Sequence, residues 1–468
     1  MSLYFAIITG ILLRFWRLGL RPFDGDEGVI LWQATQPSFG QFWESIARDA
    51  HPPLIHVLSW FGLKIFGESE FALRFFPAVF GILLIPASFL LARELIGRRQ
   101  ALFVAWLVAL SPFLVSFSQE ARMYAPLGFF VVMALWALSK NKPLHLAMFT
   151  LLAIYTHYLG LLLLPVLIIR RQWKPLLAVI ILTLPLLPLA LPQFIGRIQE
   201  AGGSNPIANI KGIVNAFYRF AAGRSFLGLE LNPANHLMWL RANPLSWFAF
   251  ALTLVVPAIL FIYGLPQNFK KNEWRPVWVL GSLAVVLALV ASEVGGKAAR
   301  NLSFLAPFYL MVIGASLFNL KQIPKLLGGV ALLGILGLGL TQRYFKESLK
   351  PGVPAIVDYI ASQNVADAAV LARGSFLKGE STIFNYYWRK RSGGEPPVVV
   401  DYYGEYRIGN LRELRKQSVK QRTEELLKDH PTVFFYDFSY LPHDLEGQPT
   451  ILGYDKEDQP IALWRVDR

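Results

Sequence analysis

Long apolar runs separated by short polar breaks dominate residues 1 to 342. Runs approaching the roughly 20 residues of a membrane-spanning helix lie near 2 to 20, 71 to 92, 101 to 117, 124 to 139, 174 to 192, 246 to 264, 276 to 292, 302 to 319 and 326 to 342. No small-residue cleavage signal follows the first run, so it reads as a retained helix. The stretch from Leu144 to Ile169 fits one long helix or a tight hairpin turning at Thr156-His157-Tyr158. Charge decides between them. Lys140 and Lys142 precede this stretch and Arg170, Arg171 and Lys174 follow it, and only a hairpin keeps both clusters on the cytoplasmic side.

The pattern predicts a polytopic α-helical membrane protein with about eleven transmembrane helices. With the N-terminus inside, the short cytoplasmic loops hold Arg93, Arg98 and Arg99; Lys140 and Lys142; Arg170, Arg171 and Lys174; Lys270, Lys271 and Arg275; and Lys321 and Lys325. Residues 21 to 70 then form a first outer loop, 193 to 245 a long outer loop, and 343 to 468 an outer tail. The tail mixes β-rich runs such as Val398-Val399-Val400 and Thr432-Val433-Phe434-Phe435 with polar helical stretches at 353 to 363 and 410 to 429. It reads as a small soluble extracytoplasmic α/β domain, large enough for a core of its own.

Composition agrees with a membrane protein: 54% of residues are hydrophobic and only 16% are charged, against about 25% charged in soluble proteins. The net charge of +14 sits between apolar runs, which is membrane topology and not a nucleic-acid patch. The absence of cysteine excludes disulfides, thiolate metal sites and thiol catalysis.

Charge placement singles out residues that topology does not require. In the first outer loop, Asp24, Asp26, Glu27, Glu44, Asp49, Glu68 and Glu70 outnumber Arg21, Arg48 and Lys64, a local inversion in a basic chain. Phe23-Asp24-Gly25-Asp26-Glu27-Gly28 lies just past the first run, where glycines let the backbone hold carboxylates at the membrane surface. A carboxylate there can take a proton from a hydroxyl or hold a cation; a solvated acidic turn is the alternative. His51, in Ala50-His51-Pro52-Pro53-Leu54, stands at a proline-fixed corner before an interfacial helix running to about Phe66. It is either a site residue beside Asp26 or part of a capped turn.

Arg122, in Ser118-Gln119-Glu120-Ala121-Arg122-Met123-Tyr124, occupies an outer turn where the positive-inside rule disfavours it. Its guanidinium suits a phosphate, and a salt bridge to Glu120 or the acidic loop is the other option. Lys297 and Arg300 precede the run carrying Pro307 and call for an anion, either a headgroup or a substrate phosphate. His157 and Tyr158 reach the same face at the hairpin tip, where Tyr158 also fits an interfacial aromatic belt.

In order and spacing these elements resemble the GT-C fold membrane glycosyltransferases, specifically the bacterial relatives of protein O-mannosyltransferases and of the lipid A aminoarabinose transferase. The resemblance is carried by Asp26-Glu27, His51-Pro52-Pro53-Leu54, Arg74 opening the second span, Ser118 to Tyr124, and Arg300 to Pro307, over roughly residues 1 to 320. It implies an inverting transfer of a sugar from a polyprenyl-phosphate donor to a hydroxyl of a lipid, glycan or protein on the outer face of a bacterial inner membrane. It also implies Asp26 as general base and Glu27 as its supporting partner. Arg122, Lys297, Arg300 and His51 are the expected donor-phosphate ligands, with Asp24, Tyr124, His157 and Tyr158 as further substrate contacts.

Where aminoarabinose transferases have Glu-Lys-Pro-Pro, this chain has Ala50-His51-Pro52-Pro53, so a phosphate-gripping lysine is absent. The His-Pro-Pro-Leu form looks more like the mannosyltransferase branch, although the tail is not the β-trefoil-like insert of the eukaryotic enzymes. No obligatory metal or other cofactor is expected, since one carboxylate and several cations suffice for a phosphate leaving group. A divalent ion held by Asp24, Asp26, Glu27, His51 and His157 is the alternative. The competing functional reading is a transporter or flippase, or a non-catalytic binder, of polyprenyl-linked saccharides. Transporters tend to carry internal repeats and mid-membrane charges on broken helices, whereas the notable charges here gather at one face.

Overall fold

The computed structural model describes residues 2–200, 206–223, 244–290, 298–345, 352–363, 365, 367–373, 379–402, 419–437, 449–454 and 460–468. The chain opens with α1 (Leu3–Phe15), α2 (Gly25–Ala34), α3 (Phe39–Ala47), α4 (Leu54–Phe66) and the 27-residue α5 (Glu70–Ile96). There follow α6 (Arg98–Leu110), α7 (Pro112–Ser118), α8 (Tyr124–Ser139), α9 (Pro143–Thr156), α10 (Leu163–Ile169), α11 (Trp173–Thr183) and α12 (Leu187–Glu200). The helical part ends with α13 (Pro206–Ala222), α14 (Pro244–Phe269), α15 (Arg275–Val290), the single turn α16 (Ala298–Asn301), α17 (Ala306–Asn319) and α18 (Gln322–Phe345).

The described residues contain five helices long and apolar enough to cross a membrane, or six if the bent pair α6 and α7 counts as one span. The expectation of about eleven is therefore corrected. The apolar runs exist, but apolar length in sequence is not helical length in space. Leu3–Phe15, Tyr124–Ser139 and Pro143–Thr156 hold 13, 16 and 14 residues, which at 1.5 Å per residue cover only about 20 to 24 Å of a roughly 30 Å hydrocarbon core. Two breaks have evident causes. Ser111 caps Leu114 N–H and is followed by Pro112 at the first helical position, so the run near 101 to 117 bends by 57°. His157 adopts an extended conformation and its Nδ1 accepts from Leu159 N–H, ending α9. The chain then folds back so tightly that a Cβ on Gly160 would lie 2.5 Å from the Ala153 carbonyl carbon. Neither half of this fold-back is long enough to count as a span.

Much of the 193 to 245 segment lies outside the described residues. The part within them includes α13, whose Ala216 and Phe220 belong to the main helical core. The helices expose large apolar side chains outward, such as Ile323, Leu326, Leu327 and Val330 on α18, as a lipid-facing surface requires.

Two reciprocal caps tie the first span region together. Buried Arg14 donates to the carbonyls of Val108 and Ala109 at the end of α6. Gln119 donates to the carbonyls of Leu13, Arg14 and Trp16 at the end of α1, satisfying groups that helix ends leave orphaned.

Beyond α18 come α19 (Val353–Ser362), β1 (Ala369–Arg373), α20 (Gly379–Arg391), β2 (Val398–Tyr402), α21 (Val419–Asp429), β3 (Thr432–Asp437), β4 (Thr450–Tyr454) and β5 (Pro460–Asp467). The strands form one sheet in the order β2-β1-β3-β5-β4. β1 runs parallel to β2 and β3, while β5 runs antiparallel to β3 and β4. Alternation along the strands splits the side chains between two faces. Ala369, Leu371, Val433 and Phe435 join Val419 of α21 in one cluster. Val370, Ala372, Phe434 and Tyr436 join α19 and α20 in the other, which continues into Phe23, Ile30, Leu31 and Ala34 around α2 and Leu73 of α5. The sheet module and the first loop thus share one core.

The candidate active site around α2

Asp24 starts α2 through a capping box: its side chain accepts from Glu27 N–H at 3.0 Å, and Glu27 Oε2 accepts from Asp24 N–H at 3.3 Å. This turn directs the two neighbouring acids differently. Glu27 is fully buried and paired on both oxygens. Arg74 Nε and Nη2 reach Oε1 and Oε2 at 2.7 and 2.6 Å, Arg21 Nη2 reaches Oε2 at 3.1 Å, and Ala121 N–H reaches Oε1 at 3.0 Å. Burial alone would raise the Glu27 carboxyl, but Arg21 and Arg74 outweigh it and hold its pKa below the ordinary value. Arg74 also donates to the carbonyls of Leu18, Arg21 and Pro22, so one guanidinium shapes the whole entry to α2.

Asp26, on the same turn, keeps 42% of its side chain exposed. Arg300 Nη1 lies 2.6 Å from its Oδ2 and Arg122 Nη2 lies 4.0 Å away, while Arg122 also donates to the Asp26 carbonyl at 3.4 Å. Burial disfavours the charge on both arginines, yet Tyr124 and Asp26 raise both guanidiniums above their usual value, with Asp49 adding to the effect at Arg122. Arg122 also hydrogen-bonds the buried Tyr124, whose ring packs edge-on against Phe117 at 4.9 Å. Of the expected residues, Asp26, Arg122, Arg300 and Tyr124 thus come together. Asp24 serves as the helix cap and pairs with Arg21 at 3.4 Å, and Lys297 lies outside the described residues.

A second cluster adjoins the first through Arg122. Buried Asp49 accepts from Ala50 N–H, from Gln33 Nε2 at 2.9 Å and from His51 Nδ1 at 2.8 Å, with His56 Nε2 at 3.8 Å. Burial would raise the Asp49 carboxyl; the bond from His51 and the charges of His56, His51 and Arg122 drive it far below the usual range. The His51 and His157 rings stand 5.7 Å apart. The Tyr158 hydroxyl donates to Gln193 at 2.7 Å, and burial plus the nearby Asp49 charge push it up to about 12.

Sequence reasoning counted Asp49 among the loop acids without assigning it to the site, and did not weigh His56, Gln33 or Gln193. The spacing Asp49-x-His51 beside two prolines is the signal that could have pointed there. Among the described residues, no group of three or more His, Asp or Glu side chains converges as a metal site. The five residues expected as alternative cation ligands are divided: Glu27 is taken by Arg74 and Arg21, Asp24 by the cap, and the histidines lie with Asp49.

The charged loops gather at the opposite end of the helices. Lys140 bonds Glu94 at 2.6 Å, and both Arg99 and Lys325 lie over the Phe318 ring, at 5.8 and 4.9 Å. Glu70 and Arg93, near the two ends of α5, separate the site from this basic face by roughly 35 Å at 1.5 Å per residue.

Residues 50–195 match the family described as dolichyl-phosphate-mannose-protein mannosyltransferase. An uncharacterized protein of Aquifex aeolicus is 31% identical over 86 residues, which span 18% of this chain and 17% of that protein. Two likenesses extend over nearly the full chain. ArnT from Cupriavidus metallidurans, bound to undecaprenyl phosphate, is 14% identical with a TM-score of 0.53, covering 98% of this chain and 97% of that one. The archaeal oligosaccharyltransferase AglB from Archaeoglobus fulgidus, in complex with an inhibitory peptide and a dolichol-phosphate, is 13% identical with a TM-score of 0.55, covering 93% and 69%. At such identities the likeness is one of architecture, and by it this multi-helical chain shares its overall fold with ArnT and AglB.

Proposed function

We propose that the chain is an inverting glycosyltransferase that moves a sugar from a polyprenyl-phosphate donor to an acceptor hydroxyl of a lipid, glycan or protein. The observation that carries this reading is Asp26: a half-exposed carboxylate between two guanidiniums, on a turn locked by a fully paired Glu27. A donor phosphate drawn to Arg122 and Arg300 competes with Asp26 for them and releases the carboxylate to act as a base. The acceptor hydroxyl gives its proton to Asp26 as its oxygen forms a bond to the anomeric carbon. The bond from that carbon to phosphate oxygen breaks, the electron pair leaves with polyprenyl phosphate, and the arginines stabilise the departing charge. Lys297 and His51 are further phosphate ligands in this scheme. Tyr124, His157, Tyr158 and Asp24 line the substrate side.

Ligands of known proteins with this fold support the donor class: ArnT was captured with undecaprenyl phosphate and AglB with a dolichol-phosphate. An apolar cavity of about 370 Å³, lined by Phe217, Phe261, Trp278, Leu305, Phe308 and Tyr309, offers space for part of a prenyl chain. Its Leu305 lies five residues from Arg300 along the chain. The basic loops at the far end of α5 favour an outer location for the site, and the sheet module, which shares a core with α2, sits on that same side in a bacterial inner membrane. The two arginines supply the charge a divalent ion would otherwise bring, so an obligatory metal is not part of the scheme.

The test compares purified wild type with Asp26→Asn for release of free polyprenyl phosphate from a panel of polyprenyl-phosphate sugars, with membrane extract as acceptor. Loss of a general base lowers turnover by about 10²- to 10⁴-fold, with donor binding kept. Donor binding without release by wild type refutes the transferase reading and favours a carrier or binder.

A further inference from the structure

The turn that carries Asp26 is fastened from the sheet module as well as from the helical bundle. Glu70, at the start of α5, is only 5% exposed. Its Oε1 accepts from the Tyr387 hydroxyl and its Oε2 from the Tyr386 hydroxyl, both at 2.8 Å. Lys390 Nζ adds contacts at 3.3 and 3.0 Å. The Tyr387 oxygen in turn accepts from Phe23 N–H at 3.0 Å, immediately before the Asp24 cap. Burial and the Glu70 charge both push the two phenols well above their ordinary pKa, so each stays a donor toward Glu70.

One turn further along α5, Arg74 grips Glu27 and the carbonyls of Leu18, Arg21 and Pro22. α5 therefore holds the entry to α2 twice, directly through Arg74 and indirectly through Tyr387 of α20. The contact between α2 and α20 leaves no slack. A Cβ on Gly28 would lie 2.4 Å from the Gly379 carbonyl oxygen and 2.6 Å from Ile383.

We propose that Tyr387 is a positioning residue for Asp26: by tying Phe23 to Glu70 it sets the first turn of α2 and makes the C-terminal module part of the active site. The inference rests on the reading of Asp26 as the base. Tyr386 provides the internal control, because it makes an equal bond to Glu70 but meets Phe23 through ring packing at 5.2 Å.

Full-length wild type, Tyr387→Phe and Tyr386→Phe are compared for kcat and donor KM in polyprenyl phosphate release, for thermal unfolding, and for hydrogen exchange of amides 25 to 34. Tyr387→Phe is expected to lower kcat about 10- to 100-fold, the scale of a misplaced catalytic group, with donor KM within about twofold and faster exchange in α2. Tyr386→Phe is expected to keep kcat and α2 exchange near wild type. Unchanged kcat in Tyr387→Phe overturns the inference, and so does a parallel loss in both variants that follows a shared drop in melting temperature. If wild type releases no polyprenyl phosphate, the functional reading fails by itself; α2 exchange then decides the positioning role, and unchanged exchange in Tyr387→Phe overturns it.

Discussion

Asp26 and Glu27 are adjacent in sequence, yet exchanging each for its amide should damage different properties. Glu27 accepts five donors across its two oxygens, two of them from Arg74 and one from Arg21, with no exposed surface. Glu27→Gln keeps the shape, but it turns an NH₂ group toward those donors and removes the buried negative charge shared by the Arg74 and Arg21 guanidiniums. Breaking a buried pair in this way costs about 3 to 5 kcal/mol. Asp26→Asn disturbs a pair in which the side chains stay 42% and 31% exposed, where solvent screening leaves about 0 to 1 kcal/mol. Thermal unfolding in detergent, read beside polyprenyl phosphate release, separates the two roles. Glu27→Gln should melt well below wild type and lose activity as a consequence. Asp26→Asn should melt with wild type and still lose turnover. A Glu27→Gln variant as stable as wild type, or an Asp26→Asn variant less stable than Glu27→Gln, would refute the division of labour.

Arg122→Gln and Arg300→Gln should each raise donor KM by about 10- to 100-fold, since a hydrogen bond to a charged group contributes about 1.5 to 3 kcal/mol; unchanged KM in both removes them from the phosphate site. Burial pushes His56 down from 6.5 to about 4, with Asp49 opposing and His51 and Arg122 adding to the fall. The unfolded chain binds the extra proton between those values, so stability is full above about 6.5 and declines toward pH 4 by up to about 3 kcal/mol. His56→Gln should flatten melting temperature against pH over that window, and profiles parallel to wild type would contradict this. On the proposal that Arg122 and Arg300 carry the phosphate charge, chelator treatment should leave most turnover in place; complete loss, restored by a divalent cation, would show that an ion acts beside them.

The sequence showed where unusual charge lies, but less of what each charge does. Asp26, Arg122 and Arg300 stood out because bilayer topology had no use for them, and they meet across separations of 96 and 274 residues. Arg74 looked like a residue opening a span because its partner Glu27 lies 47 residues away, and no local pattern reveals such a pairing. Asp49 was hidden among loop acids, since only folding converts one solvated carboxylate into the buried acceptor that holds His51. Glu70 was hidden in the same way, because its phenol partners come from 316 and 317 residues downstream.

The span count failed for a different reason. A hydropathy window averages composition and is blind to a single residue's φ and ψ. Pro77 and Pro86 both lie inside α5, which continues through them, whereas Pro112 starts a new helix. The difference stands just before each proline. Phe76 and Ile85 have no side-chain acceptor, while Ser111 caps Leu114 N–H and offers the chain an alternative to the continuing helical bond. A serine ahead of an intramembrane proline is therefore a readable break, and the short α7 that follows it leads into the outer turn at 118 to 123, whose Arg122 meets Asp26. An uninterrupted helix through residues 101 to 117 would lack this 57° bend, after which the chain runs through α7 into the turn that carries Arg122 to the Asp26 carbonyl.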